Sequence, residues 1–186
     1  SGSYEEINIT VVSDLSVEIP AIKKVGSSIQ NYSASPGGKR IAFEARGELF
    51  NAPAKDGYIS NFTQNSGAFD QNPAWSPDGK HIAYWSDKSG EYEIYLQSTT
   101  EAIEVRKLTN RNKGFGYALF WSPDSKKIAF IDERNIISII DVASGSIKEA
   151  DHHLWNVGHG SRFGYQIRWS PDSKWITYTK DQENAN

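Results

Sequence analysis

Few side chains in this sequence are spaced for chemistry. His159-Gly160-Ser161 sets an imidazole two positions from a hydroxyl. A serine nucleophile needs a base within hydrogen-bond reach and a pair of donors for the oxyanion. The strand, elbow and helix that frame a Gly-x-Ser-x-Gly nucleophile are missing around this triplet, so it reads as part of a polar loop. Asp151-His152-His153, together with His159, makes the only histidine cluster. Adjacent histidines on an extended segment point to opposite faces, and the spacing matches no familiar metal motif. Asp78, Asp124 and Asp172 recur at one point of a repeated hexapeptide, where turn geometry accounts for them. No catalytic residue, metal ligand or cofactor site is therefore assigned. The stretch 151–164 still carries residue types that are enriched in binding hot spots, and rigid scaffolds use such loops for recognition. Trp155, His159, Arg162 and Phe163 are the candidate interaction residues, for a peptide or protein partner.

Composition excludes several classes. The net charge is −3 and no long basic run exists, so nucleic acid has no electrostatic footprint. No apolar run approaches the ~20 residues of a membrane span. Cysteine is absent, which removes disulfides, thiolate metal sites and a thiol nucleophile. Nothing in the composition chooses between a cytoplasmic and a periplasmic or secreted soluble protein. Methionine is also absent, and Ser1-Gly2-Ser3 reads as a cloning remnant. The chain is expected to be a piece of a longer one.

The chain is organised around Trp75-Ser76-Pro77-Asp78-Gly79-Lys80. Variants occur at Tyr32–Lys39, which contains Ser35-Pro36-Gly37-Gly38, at Trp121-Ser122-Pro123-Asp124-Ser125-Lys126, and at Trp169-Ser170-Pro171-Asp172-Ser173-Lys174. The four prolines stand 41, 46 and 48 residues apart. A period of roughly 40–50 residues built from short strands signals β-propeller blades. Pro presets φ at the second turn position, and Gly at the fourth supplies φ > 0 for a tight hairpin. Ser125 and Ser173 replace that glycine, at a cost of ~1–2 kcal/mol for a left-handed residue, so those two turns are expected to differ in detail. The strand-end Trp is expected to fill the gap between neighbouring blades.

Alternating and apolar runs then give the strands. Four-stranded blades are expected at about 28–66, 70–109 and 116–151, with an incomplete one at 164–186 and a leading strand at 6–12. The fold class is all-β: a partial propeller of about three and a half blades plus one leading strand. Basic residues between Arg106 and Lys113 read as a solvated edge that discourages pairing with other sheets.

The Trp-Ser-Pro-Asp-Gly-Lys-x-Ile-Ala-Tyr pattern resembles the propeller repeats of TolB, of prolyl oligopeptidase relatives and of tricorn protease. Two longer runs are more specific. Ser35–Phe50 resembles the opening of the second propeller of tricorn-type serine peptidases, and Asn72–Tyr95 resembles its next blade. Trp169–Lys180 fits a later blade. That resemblance implies a non-catalytic propeller that guides or gates peptide toward an active site carried elsewhere in the parent. A TolB-like interaction scaffold and a prolyl-oligopeptidase-type propeller are the alternatives. The family's catalytic residues lie downstream of its propellers, so none is carried over here.

A propeller protects its edges by closing. Three and a half blades cannot close alone, and open edges invite another chain. The expectation is an open arc or self-association, two copies supplying about seven blades' worth of strands.

Overall fold

A computed structural model describes residues 26–65, 67–100, 104–152 and 166–180. A 3-10 turn at Gly26–Ser28 leads into three four-stranded antiparallel sheets and one two-stranded sheet. The first blade is β1 (Ile29–Ala34), β2 (Arg40–Ala45), β3 (Glu48–Pro53) and β4 (Ser60–Asn61). The second is β5 (Asp70–Trp75), β6 (His81–Ser86), β7 (Glu93–Ser98) and β8 (Val105–Lys107). The third is β9 (Gly116–Trp121), β10 (Lys127–Asp132), β11 (Ile136–Asp141) and β12 (Ile147–His152). The fourth shows β13 (Arg168–Trp169) and β14 (Ile176–Thr177). In every sheet spatial order follows chain order. Among the described residues no strand pairs from one sheet to another, and the ring is not closed. The fold is therefore the expected all-β partial propeller. The leading strand at 6–12 lies outside the described residues.

Burial explains why these segments are strands. β6 and β7 are buried almost throughout, because the second blade is covered on both faces by its neighbours. The outer strands β8 and β12 are mostly exposed. Trp85, Ile94 and Leu96 of the second blade pack on Leu119, Ile128, Phe130 and Ile140 of the third. Ala129, Ile131 and Ile137 of the third pack on Ile167, with Trp169 and Ile176 of the fourth beside them. A smaller cluster joins Leu49 and Phe62 of the first blade to Tyr84 and Tyr95 of the second.

The inner strands of the first three blades carry a bulge at nearly the same point: between Ile29 and Tyr32, between Gln71 and Ala74, and opposite Phe130–Asp132 in β9. A bulge adds a residue on one strand and re-aims the side chains around it. Asn72, at φ 53°, takes up the bend in β5.

Candidate functional site

The hairpin turns behave as turns. Ser76, Ser122 and Ser170 each donate a hydroxyl to Oδ1 of Asp78, Asp124 and Asp172 at 2.6 Å. The same carboxylates accept the amides of Lys80, Lys126 and Lys174 at 3.0–3.2 Å. The serine hydroxyl and the following amide hold Asp124 and Asp172 below the usual carboxylate range. Partial burial pushes Asp78 up, but its Ser76 and Lys80 hydrogen bonds outweigh that and leave it lowered. These carboxylates are committed to their own hairpins.

All four turns share one backbone geometry, which corrects the expectation of a difference at the serine copies. The fourth position has φ of 63° at Gly38, 73° at Gly79, and 59° at both Ser125 and Ser173. Each closes with an amide of that residue donating to the first serine's carbonyl at 2.8–2.9 Å. What the strained serines add lies in the neighbouring blade. Ser125 Oγ accepts the amide of Asp78 at 3.1 Å, and Ser173 Oγ accepts that of Asp124 at 3.1 Å. Each serine clasps the turn of the blade before it.

The strand-end tryptophans make a second inter-blade link. Trp121 Nε1 donates to the carbonyl of Ala74 at 3.0 Å, and Trp169 Nε1 to that of Phe120 at 2.9 Å. Trp75 breaks the pattern: its backbone amide donates to Ser33 Oγ at 3.0 Å, while its buried Nε1 meets no acceptor among the described residues.

These strand ends gather around an open trough of about 590 Å³ on the inner-strand side. Its walls include Trp75, Trp121 and Trp169 with the turn prolines Pro77 and Pro123. Arg168 is the one charged residue in the lining. Ser33, Ala74 and Leu119 also line a smaller cavity of about 180 Å³ further along the same strands, beside Asn31 and Asn72. The trough is of ligand size, and its aromatic and proline side chains offer shape and stacking contacts.

Of the residues singled out from sequence, Trp155, His159, Arg162 and Phe163 lie outside the described residues, as does Ser161. Asp151 is described, and it binds to the fourth blade. It accepts Tyr178 Oη at 2.7 Å and Lys180 Nζ at 2.8 and 2.9 Å. The Lys180 and Tyr178 hydrogen bonds hold its carboxyl down at about 2. His152 is exposed and donates its amide to Asp151. Among the described residues no group of three or more histidines or carboxylates converges on a metal position.

The basic stretch needs one correction. Arg106, Lys107 and Lys113 are exposed, but the Arg111 side chain is only 9% exposed. Its guanidinium pairs with Asp132 at 2.9 Å and sits 5.6 Å from the Trp85 ring and 5.4 Å from the Phe130 ring. Sequence reading also passed over Trp85, whose Nε1 donates to the carbonyl of Tyr117 at 2.8 Å. It can lie there because Gly116 has no Cβ; one would stand 2.1 Å from Trp85 Cζ2. Two buried carboxylates, Glu44 and Asp70, occupy the corresponding positions one blade earlier. A bulky aromatic eight residues after one turn proline, followed by a glycine seven residues before the next, was the available signal.

Repeated four-stranded meanders, with indole and hydroxyl links from the third and fourth inner hairpins to the blade before each, define a β-propeller. The chain belongs to the tricorn protease second beta propeller domain family, whose model matches residues 29–186. It is similar to dipeptidyl-peptidase 5 of Porphyromonas gingivalis, 29% identical over 150 residues, which cover 72% of this chain and 20% of that protein. An uncharacterized peptidase of Bacillus subtilis, YuxL, is 38% identical over 87 residues, covering 40% of this chain and 13% of its own length. The chain thus spans about a fifth or less of these relatives. Among solved structures, tricorn protease aligns with TM-score 0.70 at 14% identity, covering 91% of this chain and 16% of that one. TolB from Acinetobacter baumannii aligns with TM-score 0.64 at 23% identity, covering 92% and 42%. At those identities the structural matches speak for the fold alone.

Proposed function

We propose that this chain is the non-catalytic propeller module of a tricorn-like serine peptidase, and that it guides or gates an unfolded peptide toward an active site elsewhere in the parent. The observation that carries the reading is the trough, where tryptophans and prolines from successive blades converge on the inner-strand side. Extended peptides dock on such aromatic surfaces through shape and stacking, which suits a module that must handle many sequences. The family match and two peptidase relatives support the peptidase setting over a free-standing scaffold. Trp155, His159, Arg162 and Phe163 stay in the proposal as recognition residues, tested by alanine substitution.

The test is binding of unstructured peptides to the chain, read by fluorescence anisotropy. Arg168→Trp, an exposed position in the trough's lining, should weaken binding at least about tenfold by filling it. Unchanged affinity in a folded Arg168→Trp chain would remove the trough from the reading. Exposed Ile29 and Tyr32 on the first blade and Trp175 on the fourth support self-association of the open ring. A strict monomer at high concentration by light scattering would count against that part.

A further inference from the structure

The three joints between successive blades can be compared position by position, and one is built differently. At the joint of the second and third blades, Trp121 Nε1 reaches the carbonyl of Ala74 and Ser125 Oγ clasps Asp78. At the next joint Trp169 and Ser173 repeat both links. At the joint of the first and second blades both are missing. The indole N–H of Trp75 is buried without an acceptor among the described residues, and the clasping position is Gly79, which has no hydroxyl.

The interior of that joint differs in the same sense. Between the second and third blades, Trp85 wedges beneath β9 within a buried cluster of ten residues. At the first joint, Glu44 replaces that Trp and Asp70 replaces Gly116, and the buried apolar cluster shrinks to Leu49, Tyr84 and Tyr95. Asp70 is 1% exposed, and only the hydroxyls of Ser86 and Thr63 approach its carboxylate, neither in good hydrogen-bond geometry. Burial raises its pKa; the nearby hydroxyls of Ser86 and Thr63 and the Lys88 ammonium only moderate that. The second joint has one comparable orphan, Arg111 Nη1, but that guanidinium is ion-paired through its other nitrogen and flanked by two rings.

We infer that the joint between the first and second blades is the opening point of this propeller, a side gate onto the trough. Closing it buries a carboxylate that two hydroxyls only partly satisfy and an indole N–H with no acceptor among the described residues, and parting it returns both to water. The bonds that do cross it are polar: Asp70 N to Gly47 O, Asn72 N to Glu44 Oε2, Trp75 N to Ser33 Oγ, and Gln97 Nε2 to Phe62 O. Water replaces such bonds at small net cost, whereas nothing replaces the apolar burial that holds the second joint shut. Ser33 and Trp75 face each other across this joint and both line the trough, so parting them opens its side. The inference does not depend on what the trough binds.

The chain has no cysteine, so a single introduced thiol reports one joint. Ala42, Ala83 and Ala129 stand six residues after their turn prolines, one per joint, and are 1%, 0% and 0% exposed. The measurement is the rate of thiol labelling of Ala42→Cys, Ala83→Cys and Ala129→Cys in the full chain under native conditions. Ala42→Cys should label at least about tenfold faster than Ala83→Cys, the effect of one to two ordinary hydrogen bonds on an opening equilibrium. It should also be the fastest of the three. Adding Gly79→Ser supplies the missing clasp at a left-handed position, where its Cβ would stand an ordinary 3.8 Å from Pro36 Cδ. That change should slow labelling at position 42 about fivefold, the effect of one hydrogen bond. Labelling at 42 no faster than at 83 overturns the gate. So does Ala129→Cys as the fastest, because simple fraying favours the joint covered by the two-stranded sheet. A Gly79→Ser chain that labels unchanged overturns it as well.

Discussion

Gly116→Ala offers a sharp check on how the second and third blades are locked. The new methyl would fall 2.1 Å from Trp85 Cζ2, 2.7 Å from Cη2 and 2.8 Å from Cε2. The indole has little freedom to retreat. It is fully buried, meets Phe130 edge-on at 5.4 Å, and donates to the Tyr117 carbonyl at 2.8 Å. Either the ring leaves, giving up that buried hydrogen bond at about 1–3 kcal/mol, or β9 shifts outward, with an overpacking cost of about 1–3 kcal/mol. We expect a loss of about 3 kcal/mol, a large share of the ~5–15 kcal/mol that holds a domain together. Urea unfolding followed by tryptophan fluorescence should show a lower midpoint with an unchanged slope. The mechanism also predicts non-additivity. In a Trp85→Leu chain there is no ring to strike, so adding Gly116→Ala should cost less than about 1 kcal/mol. The reasoning fails if Gly116→Ala alone costs under about 1 kcal/mol, or if the two changes add.

Three further outcomes follow from other links. Trp121→Phe keeps most of the apolar surface but leaves the Ala74 carbonyl without its indole donor, so stability should drop about 1–2 kcal/mol in urea; no change would mean that the indole bond contributes nothing. Asp151 sits at about 2 because Lys180 and Tyr178 bind its charged form. Its contribution is therefore full above the unfolded value of 3.8 and fades as pH falls through 2. Asp151→Asn should cost about 1 kcal/mol at pH 6, after allowing for solvent screening, and almost nothing near pH 2. A cost independent of pH would refute the ion-pair account. Asp70 has the opposite sign, since burial raises its pKa. Its penalty is absent below 3.8 and grows as pH rises through the raised folded value. Asp70→Asn should gain about 1 kcal/mol at pH 7, with the gain shrinking toward pH 3; thermal melts across that range would expose a constant offset.

The hairpins were legible in the sequence because they are local. Ser-Pro-Asp-Gly/Ser dictates its own φ angles and hydrogen bonds over six residues, and the structure repeats one turn four times. The inner and middle strands were legible for a similar reason, since their apolar runs sit directly after each turn. The fourth strand of the first blade was less so. Tyr58 and Ile59 have the residue types of a strand, but both are exposed and the pairing with β3 is confined to Ser60–Asn61. The links between blades escaped sequence reading because each joins residues tens of positions apart. Ser125 looked like a strained substitute for glycine until the amide of Asp78, 47 residues earlier, was found on its hydroxyl. Arg111 looked like one of several surface charges, and only the fold brings Asp132, Trp85 and Phe130 around it. The trough was invisible for the same reason, being assembled from strand ends of different repeats.

In every sheet each strand pairs with the next one along the chain, and this bears on the order of folding. A blade needs only neighbouring hairpins, which form in about 1–10 µs without long loops to close. Joining two blades needs contacts 23 to 49 residues apart, so docking follows at a greater entropic cost. A nascent chain can therefore assemble one blade as the next is being made, each finished face presenting the surface on which its successor condenses. The ring grows in one direction, and the indole and hydroxyl of the third and fourth hairpins reach back to a blade already in place.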